Sequence, residues 1–326
     1  MKNIKINFKK CAITLFSALL ITSCSKDDDG GSNISLNTNV SAITASADFS
    51  ARSDHATVVF NNKLWVIGGR DDEGRKNDIW ASSDGETWTE VTTAAPFSAR
   101  YGHTTVVFNN KLWVIGGDDG EINNDVWASS DGETWTEVTT AAPFSARIDH
   151  TTVVFNNKLW VIGGYDGDWK NDVWVSSDGE TWTEVNTTTS FSARREHTTV
   201  VFNNKLWVIG GYDANWLVGG VWVSSDGKTW TDTSETWTEA TATNFLPPRY
   251  GHTTVVFNDK LWSIGGYDGE RKNDVWASSD GETWTEVAAT APFSARYGHT
   301  TVVFNNKLWV IGGYDVERYN DVWAFD

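Results

Sequence analysis

Cysteine is almost missing from this chain of 326 residues: Cys11 and Cys24 are the only two, both near the N-terminus. Everything after Cys24 is therefore without a disulfide, a thiolate metal site or a cysteine nucleophile. Proline occurs only five times, which excludes long Pro-rich linkers. Basic residues are also scarce. Lys and Arg number 26 against 43 Asp and Glu, a formal charge of −17. Residues 1–23 hold Lys2, Lys5, Lys9 and Lys10 and no acid, so the remainder has 22 basic against 43 acidic residues, or −21. A chain that acidic repels phosphate backbones, so nucleic acid is not an expected partner. What is present is a hydrophobic fraction of 40%, enough for a large core, and 20 Trp with 28 Gly, a lopsided mixture that points to repetition.

The N-terminus reads as an address. Met1–Lys10 is basic and Cys11–Ile21 is apolar. That run is shorter than the ~20 residues a membrane span needs, so it reads as a secretory h-region. Ile21-Thr22-Ser23-Cys24 then resembles the lipobox of bacterial lipoproteins, which implies a signal peptide over 1–23 and acylation of Cys24. Acyl chains there would be the membrane contact. Ser25-Lys26-Asp27-Asp28-Asp29 is similar to the signal that carries some lipoproteins to the exterior. The expectation is an exported, outer-membrane, surface-exposed lipoprotein with an acidic, polar tether over 24–39.

Self-comparison gives the fold. The block R-x-x-H-[AT]-T-V-V-F-N-[ND]-K-L-W-x-I-G-G starts at Arg52, Arg100, Arg147, Arg194, Arg249 and Arg296. A recurring unit of this length is one supersecondary element. Within it, two β-branched runs flank Asn-Asn, and two further runs flank Asp-Gly, so each unit is four short antiparallel strands, A to D. The Gly-Gly pair, the Asp-[Val/Ile]-Trp strand and the later Trp resemble the kelch repeat. That resemblance implies an all-β, six-bladed β-propeller over residues 40–326, made of four-stranded antiparallel blades. The sixth unit stops at Asp326 without a strand D. Aligning Phe49-Ser50-Ala51-Arg52 with Phe97-Ser98-Ala99-Arg100 puts Val40-Ser41-Ala42-Ile43 where strand D belongs. An N-terminal strand is thus expected to complete the C-terminal blade and close the ring. In the fourth unit Trp230 and Trp237 both compete for one core position. Trp237 stands twelve residues before Arg249, as Trp88 stands before Arg100, so Trp237 is expected in the core and Trp230 in a lengthened C–D turn.

The six histidines occupy one repeat position and read as structural, because a metal site needs unlike ligands converging. The six repeat arginines are expected to bind carbonyls or carboxylates between blades. Ser82-Ser83-Asp84-Gly85-Glu86-Thr87-Trp88 and its copies resemble a shortened Asp box, a self-bonding turn of sialidases and related propellers. Variation is concentrated in the B–C and D–A loops, all on one face, whereas the A–B and C–D turns are nearly constant. A recognition surface would look like this. Its candidate ligand-binding residues are Tyr165, Asp166, Trp169, Tyr212, Asp213, Trp216, Tyr267, Asp268, Arg271, Tyr314, Asp315 and Tyr319. Aromatics with carboxylates suit sugar rings and cationic peptides. The Asp-Gly-x loops offer oxygens to Ca²⁺, but none carries a full calcium-loop pattern, so no cofactor is expected.

The reading is a tethered propeller that binds a glycan or protein ligand. Its rivals are a sialidase-like or sialic-acid mutarotase-like enzyme and an adhesive repeat protein without a dedicated ligand. Copper chemistry of the galactose oxidase kind, which in kelch relatives needs a Tyr–Cys crosslink, is excluded by the lack of Cys in the propeller. No catalytic residue is named. Only unit four breaks ranks strongly, with Leu217-Val218-Gly219-Gly220 where Asn-Asp precedes the Val-Trp of its neighbours.

Overall fold

Each Asn-Asn between strands A and B, Asn258-Asp259 in the fifth unit included, takes left-handed backbone with φ of 48° to 57°. Two such residues in succession twist a two-residue hairpin the way its strands twist, which is why Asn is favoured there. In the computed structural model, which describes residues 40–188, 190–233 and 245–325, every unit folds into its own four-stranded antiparallel sheet. The first runs Ala56–Phe60, Lys63–Asp71, Gly74–Ser82 and Thr89–Thr92 in spatial order. The chain is an all-β, six-bladed propeller. In the sixth blade Val40–Thr44 takes the place of strand D, with Val40 opposite Phe325 and Ala42 opposite Trp323. The ring closes as the repeat arithmetic requires. The signal segment, the tether and Cys24 lie outside the described residues.

The core is divided among the six junctions between neighbouring blades. Between blades one and two, Phe60, Trp65 and Ile67 meet Phe97, Leu112, Val114 and Trp135. In the C–D turns, Asp84 Oδ1 accepts from the backbone N–H of Glu86 (2.9 Å) and Thr87 (2.8 Å), and Ser82 Oγ accepts from Gly85 N (2.7 Å). The turn therefore has a fixed length. Gly85 has φ +77°, and any Cβ there would collide with the ring of Trp309 from blade six.

That fixed turn corrects the expectation for blade four. Ser224 and Asp226 make the same contacts, and Trp230 closes the turn with its indole on Gly227 O at 3.3 Å. Trp230 is 2% exposed and packs edge-on to Phe191 at 5.2 Å, as Trp88 packs on Phe49 at 5.1 Å. Strand D follows at once as Thr231–Asp232. Trp230 is the core residue, and the surplus residues come after strand D, on the D–A side. Trp237 lies outside the described residues. Trp230→Ala is expected to cost about 3–5 kcal/mol in urea melts; a loss under about 1 kcal/mol would return Trp230 to the surface.

The histidines are spacers between blades. His150 Nε2 shares a hydrogen bond with Thr104 Oγ1 of the preceding blade at 3.1 Å, and the same pairing joins His197 to Thr151, His252 to Thr198, His299 to Thr253 and His55 to Thr300. The sixth pairing fails, because Ala56 stands where the threonine should be. His103 Nε2 and Thr105 Oγ1 are left without partners.

Candidate functional site

The residue just before each histidine forms the mouth of the central channel on the B–C/D–A face. In chain order these are Asp54, Gly102, Asp149, Glu196, Gly251 and Gly298. All six have φ between 52° and 64°. Their backbones bond head to tail around the whole ring: Gly102 N to Asp54 O (3.1 Å), Asp149 N to Gly102 O (2.9 Å), Glu196 N to Asp149 O (3.0 Å), Gly251 N to Glu196 O (3.1 Å), Gly298 N to Gly251 O (3.0 Å) and Asp54 N to Gly298 O (2.8 Å). Three glycines adopt that backbone freely, whereas the three acids adopt it at a cost, a pattern typical of functional positions.

The glycines make room for the acids. A Cβ on Gly102 would stand 2.7 Å from Asp149 Oδ1, one on Gly298 2.5 Å from Asp54 Oδ1, and one on Gly251 3.3 Å from Glu196 Oε2. Two guanidinium groups face the three carboxylates. Arg70 pairs with Asp54 at 2.9 Å, while Arg195 is 3.8 Å from Asp149 and 4.0 Å from Glu196. Burial, followed by the charge of Asp54, raises the pKa of Asp149 to about 7. Burial, followed by the charges of Asp149 and Asp54, raises that of Glu196 to about 8. Below the mouth the channel, about 240 Å³, is lined by threonines and histidines.

The sign of the pH dependence follows. An acid with a raised pKa holds protons in the folded chain that the unfolded chain has released, so stability falls as pH rises through the folded values. The buried histidines act oppositely, but only below 6.5, since burial and then the neighbouring arginines lower their pKa values. Melting temperature is expected to drop from about pH 6.5, where the histidines cease to oppose it, and to level off above about pH 8, and Asp149→Asn with Glu196→Gln to flatten that drop. A wild-type profile flat over this window, or one unchanged in the double variant, refutes the assignment.

An arc of aromatic rings runs around the mouth from blade three to blade six. Tyr165 meets Trp169 at 5.5 Å, and Trp169 meets Tyr212 at 6.1 Å. Tyr212 meets Trp216 at 5.5 Å and Tyr250 at 5.6 Å. Tyr250 meets Tyr267 at 5.2 Å and Tyr297 at 6.1 Å, and Tyr297 meets Tyr314 at 5.6 Å. Trp216 is 57% exposed and has φ 97°, a strained backbone for a bulky residue. Arg195 lies over Tyr165 at 4.7 Å and Tyr212 at 5.5 Å.

Of the residues expected at the site, the structure thus gathers Tyr165, Trp169, Tyr212, Trp216, Tyr267 and Tyr314. The loop acids serve their own loops instead. Asp166 pairs with Lys170 (2.8 Å), Asp268 with Lys272 (3.3 Å), and Asp213 accepts from Asn215 N (2.7 Å). Arg271 reaches Asp315 of the next blade at 3.1 Å, and Tyr319 lies under Arg296 at 4.3 Å, outside the arc. Sequence reasoning passed over Tyr250, Tyr297 and the mouth acids. The signal for the acids is that only an acid or a glycine stands before each histidine. Among the described residues no group of three or more His, Cys, Asp or Glu is placed to hold a metal ion.

Comparison with known families agrees with the geometry. A family model described as the KLHDC2/KLHL20/DRC7 kelch-repeats domain matches residues 33–211 and 223–326, and a kelch motif model matches residues 193–234. No curated protein matches the chain.

Proposed function

The chain belongs to the kelch-repeat family, and from that premise we propose that it is a recognition module whose B–C/D–A face binds a protein ligand through a basic side chain. The observation that carries this is the ring of Asp54, Asp149 and Glu196 inside the aromatic arc, with three carboxylates against two guanidinium groups. Asp149 and Glu196 hold protons near neutral pH in the free chain, and a lysine or arginine entering the mouth takes the place of those protons, so that it meets ionised carboxylates and aromatic faces, both of which favour cations. A peptide array spanning basic, neutral and acidic sequences tests this. Basic peptides are expected to bind, and the combined Asp54→Asn, Asp149→Asn and Glu196→Gln variant to lose roughly tenfold or more in affinity. Equal binding of acidic peptides, or an unchanged affinity in the variant, overturns it.

Trp216 supports a second reading, a glycan ligand. Its exposed indole offers the flat surface on which sugar rings stack. A glycan array probed with the wild type and Trp216→Ala separates the two.

The module is held at the outer membrane, facing the exterior, by acyl chains on Cys24, and residues 24–39 serve as its leash. Cys24→Ser is expected to move the protein from the membrane to the soluble fraction, because more than one acyl chain is what makes such anchoring stable. Membrane retention of the variant counts against the anchor.

A further inference from the structure

Five blades share a buried ion pair that the fourth lacks. Arg52, Arg100, Arg147, Arg249 and Arg296 each donate through both terminal nitrogens to one aspartate, respectively Asp78, Asp125, Asp172, Asp274 and Asp321, at 2.5–2.9 Å. The same aspartate accepts from the indole N–H two residues on, at 2.7–2.8 Å. In blade four the aspartate is replaced by Gly220.

Arg194 is nevertheless 1% exposed, like its counterparts. Its Nη1 donates to Gly210 O at 2.8 Å and, at the limit, to Gly220 O at 3.5 Å. Its Nη2 donates to Ser192 Oγ at 2.8 Å, and its Nε to Ser192 O at 2.9 Å. Among the described residues no carboxylate lies within ion-pair distance of it. The indole N–H of Trp222 likewise has no acceptor among them. A Cβ on Gly220 would stand 2.9 Å from Trp222 Nε1 and 3.8 Å from Arg194 Nη2, so the place of the missing side chain lies between the two donors. Leu217 to Gly220 and Trp222 are all partly exposed, so solvent reaches the residues around that place.

We propose that Arg194 and Trp222 form a carboxylate-binding subsite in blade four, where a free carboxylate takes the position that aspartate fills in the other five blades. The ligand class is a carboxylate on a short, slim stem, because only one side chain is missing at Gly220 and the Trp222 indole, 2.9 Å from where its Cβ would stand, must yield to whatever is seated there. A buried guanidinium with one Nη2 hydrogen unengaged and one Nη1 hydrogen held only at 3.5 Å is the donor set that a two-oxygen carboxylate selects. The proposal stands whatever the aromatic face binds.

Acetate is the natural probe, since its methyl carries the carboxylate as Cβ does in aspartate. Melting temperatures of the full chain are measured in acetate and in chloride at equal ionic strength, for the wild type and for Gly220→Asp. Acetate is expected to raise the wild-type midpoint saturably, by about 2–4 °C. Gly220→Asp is expected to start higher in chloride and to gain nothing from acetate, provided the half-exposed Trp222 indole yields slightly to the new Cβ. In ¹⁵N-labelled protein, acetate is expected to shift the indole resonance that Trp222→Phe removes. No saturable rise in the wild type, or an equal rise in Gly220→Asp, overturns the proposal. A rise without a shift at Trp222 places acetate elsewhere and overturns it too.

Discussion

A chain lacking residues 34–48 is expected to lose most of its margin of stability, about 5 kcal/mol or more. Val40–Thr44 supplies the fourth strand of blade six, paired from Val40–Phe325 to Thr44–Val322. Its backbone hydrogen bonds are each worth about 1 kcal/mol. Val40 packs on one core cluster and Ile43 on the next, and partial burial of such residues adds about 1–2 kcal/mol apiece. Ala47, also removed, is 6% exposed within the junction of blades six and one. Against a total of 5–15 kcal/mol for a typical protein, that loss leaves little. Chemical denaturation measures it, and a midpoint within error of the wild type means that the ring does not depend on this strand. A rescue sharpens the test. Phe325 lies opposite Val40, so the removed segment can be attached at the C-terminus through the Asp-Gly-Glu-Thr turn used elsewhere. The rearranged chain should recover the lost stability.

Asp125→Ala is expected to cost about 3–5 kcal/mol, the range found when one partner of a buried pair is removed. Arg100 is 1% exposed and donates to both oxygens of Asp125, at 2.6 and 2.8 Å. Without the carboxylate, the guanidinium keeps Gly116 O and the Ser98 oxygens, and Trp127 loses its acceptor. Urea melts give the cost directly. A loss under about 1 kcal/mol would show that carbonyls alone satisfy a guanidinium at this position, and would make blade four ordinary rather than exceptional.

What the sequence made legible was whatever the repeat enforces. Six blades, the missing strand D and the strand that replaces it all follow from counting between arginines. The position of Trp230 was not legible from that count. Twelve residues from Trp237 to Arg249 match the other units only if the surplus lies within the C–D turn, and the turn cannot lengthen because Asp226 and Ser224 bond its backbone in a fixed register. Counting forward from Ser224 places it correctly. The aromatic half of the face was visible, since Tyr and Trp recur in the B–C loops. The acids that converge at the mouth are not the ones that stand out in the B–C loops. Asp166, Asp213 and Asp268 are conspicuous in sequence but engaged with their own loops, whereas Asp54, Asp149 and Glu196 converge only because a ring of left-handed backbone turns them toward one axis.

The mouth also fixes the order of the blades. Their cores are so alike that they look interchangeable, yet each acid there leans over one particular glycine. The aspartates lean backwards, Asp54 over blade six and Asp149 over blade two. The longer Glu196 leans forwards, over blade five. The six positions are thereby sorted into three neighbouring couples with none left over. If the mouth residues of blades four and five were exchanged, the glutamate would lean over blade six, where Asp54 already lies, and one glycine would be uncovered. A shuffled gene would still encode six sound sheets, but two like charges would crowd one glycine at its rim. At the mouth, though not in their cores, the six blades are therefore not interchangeable.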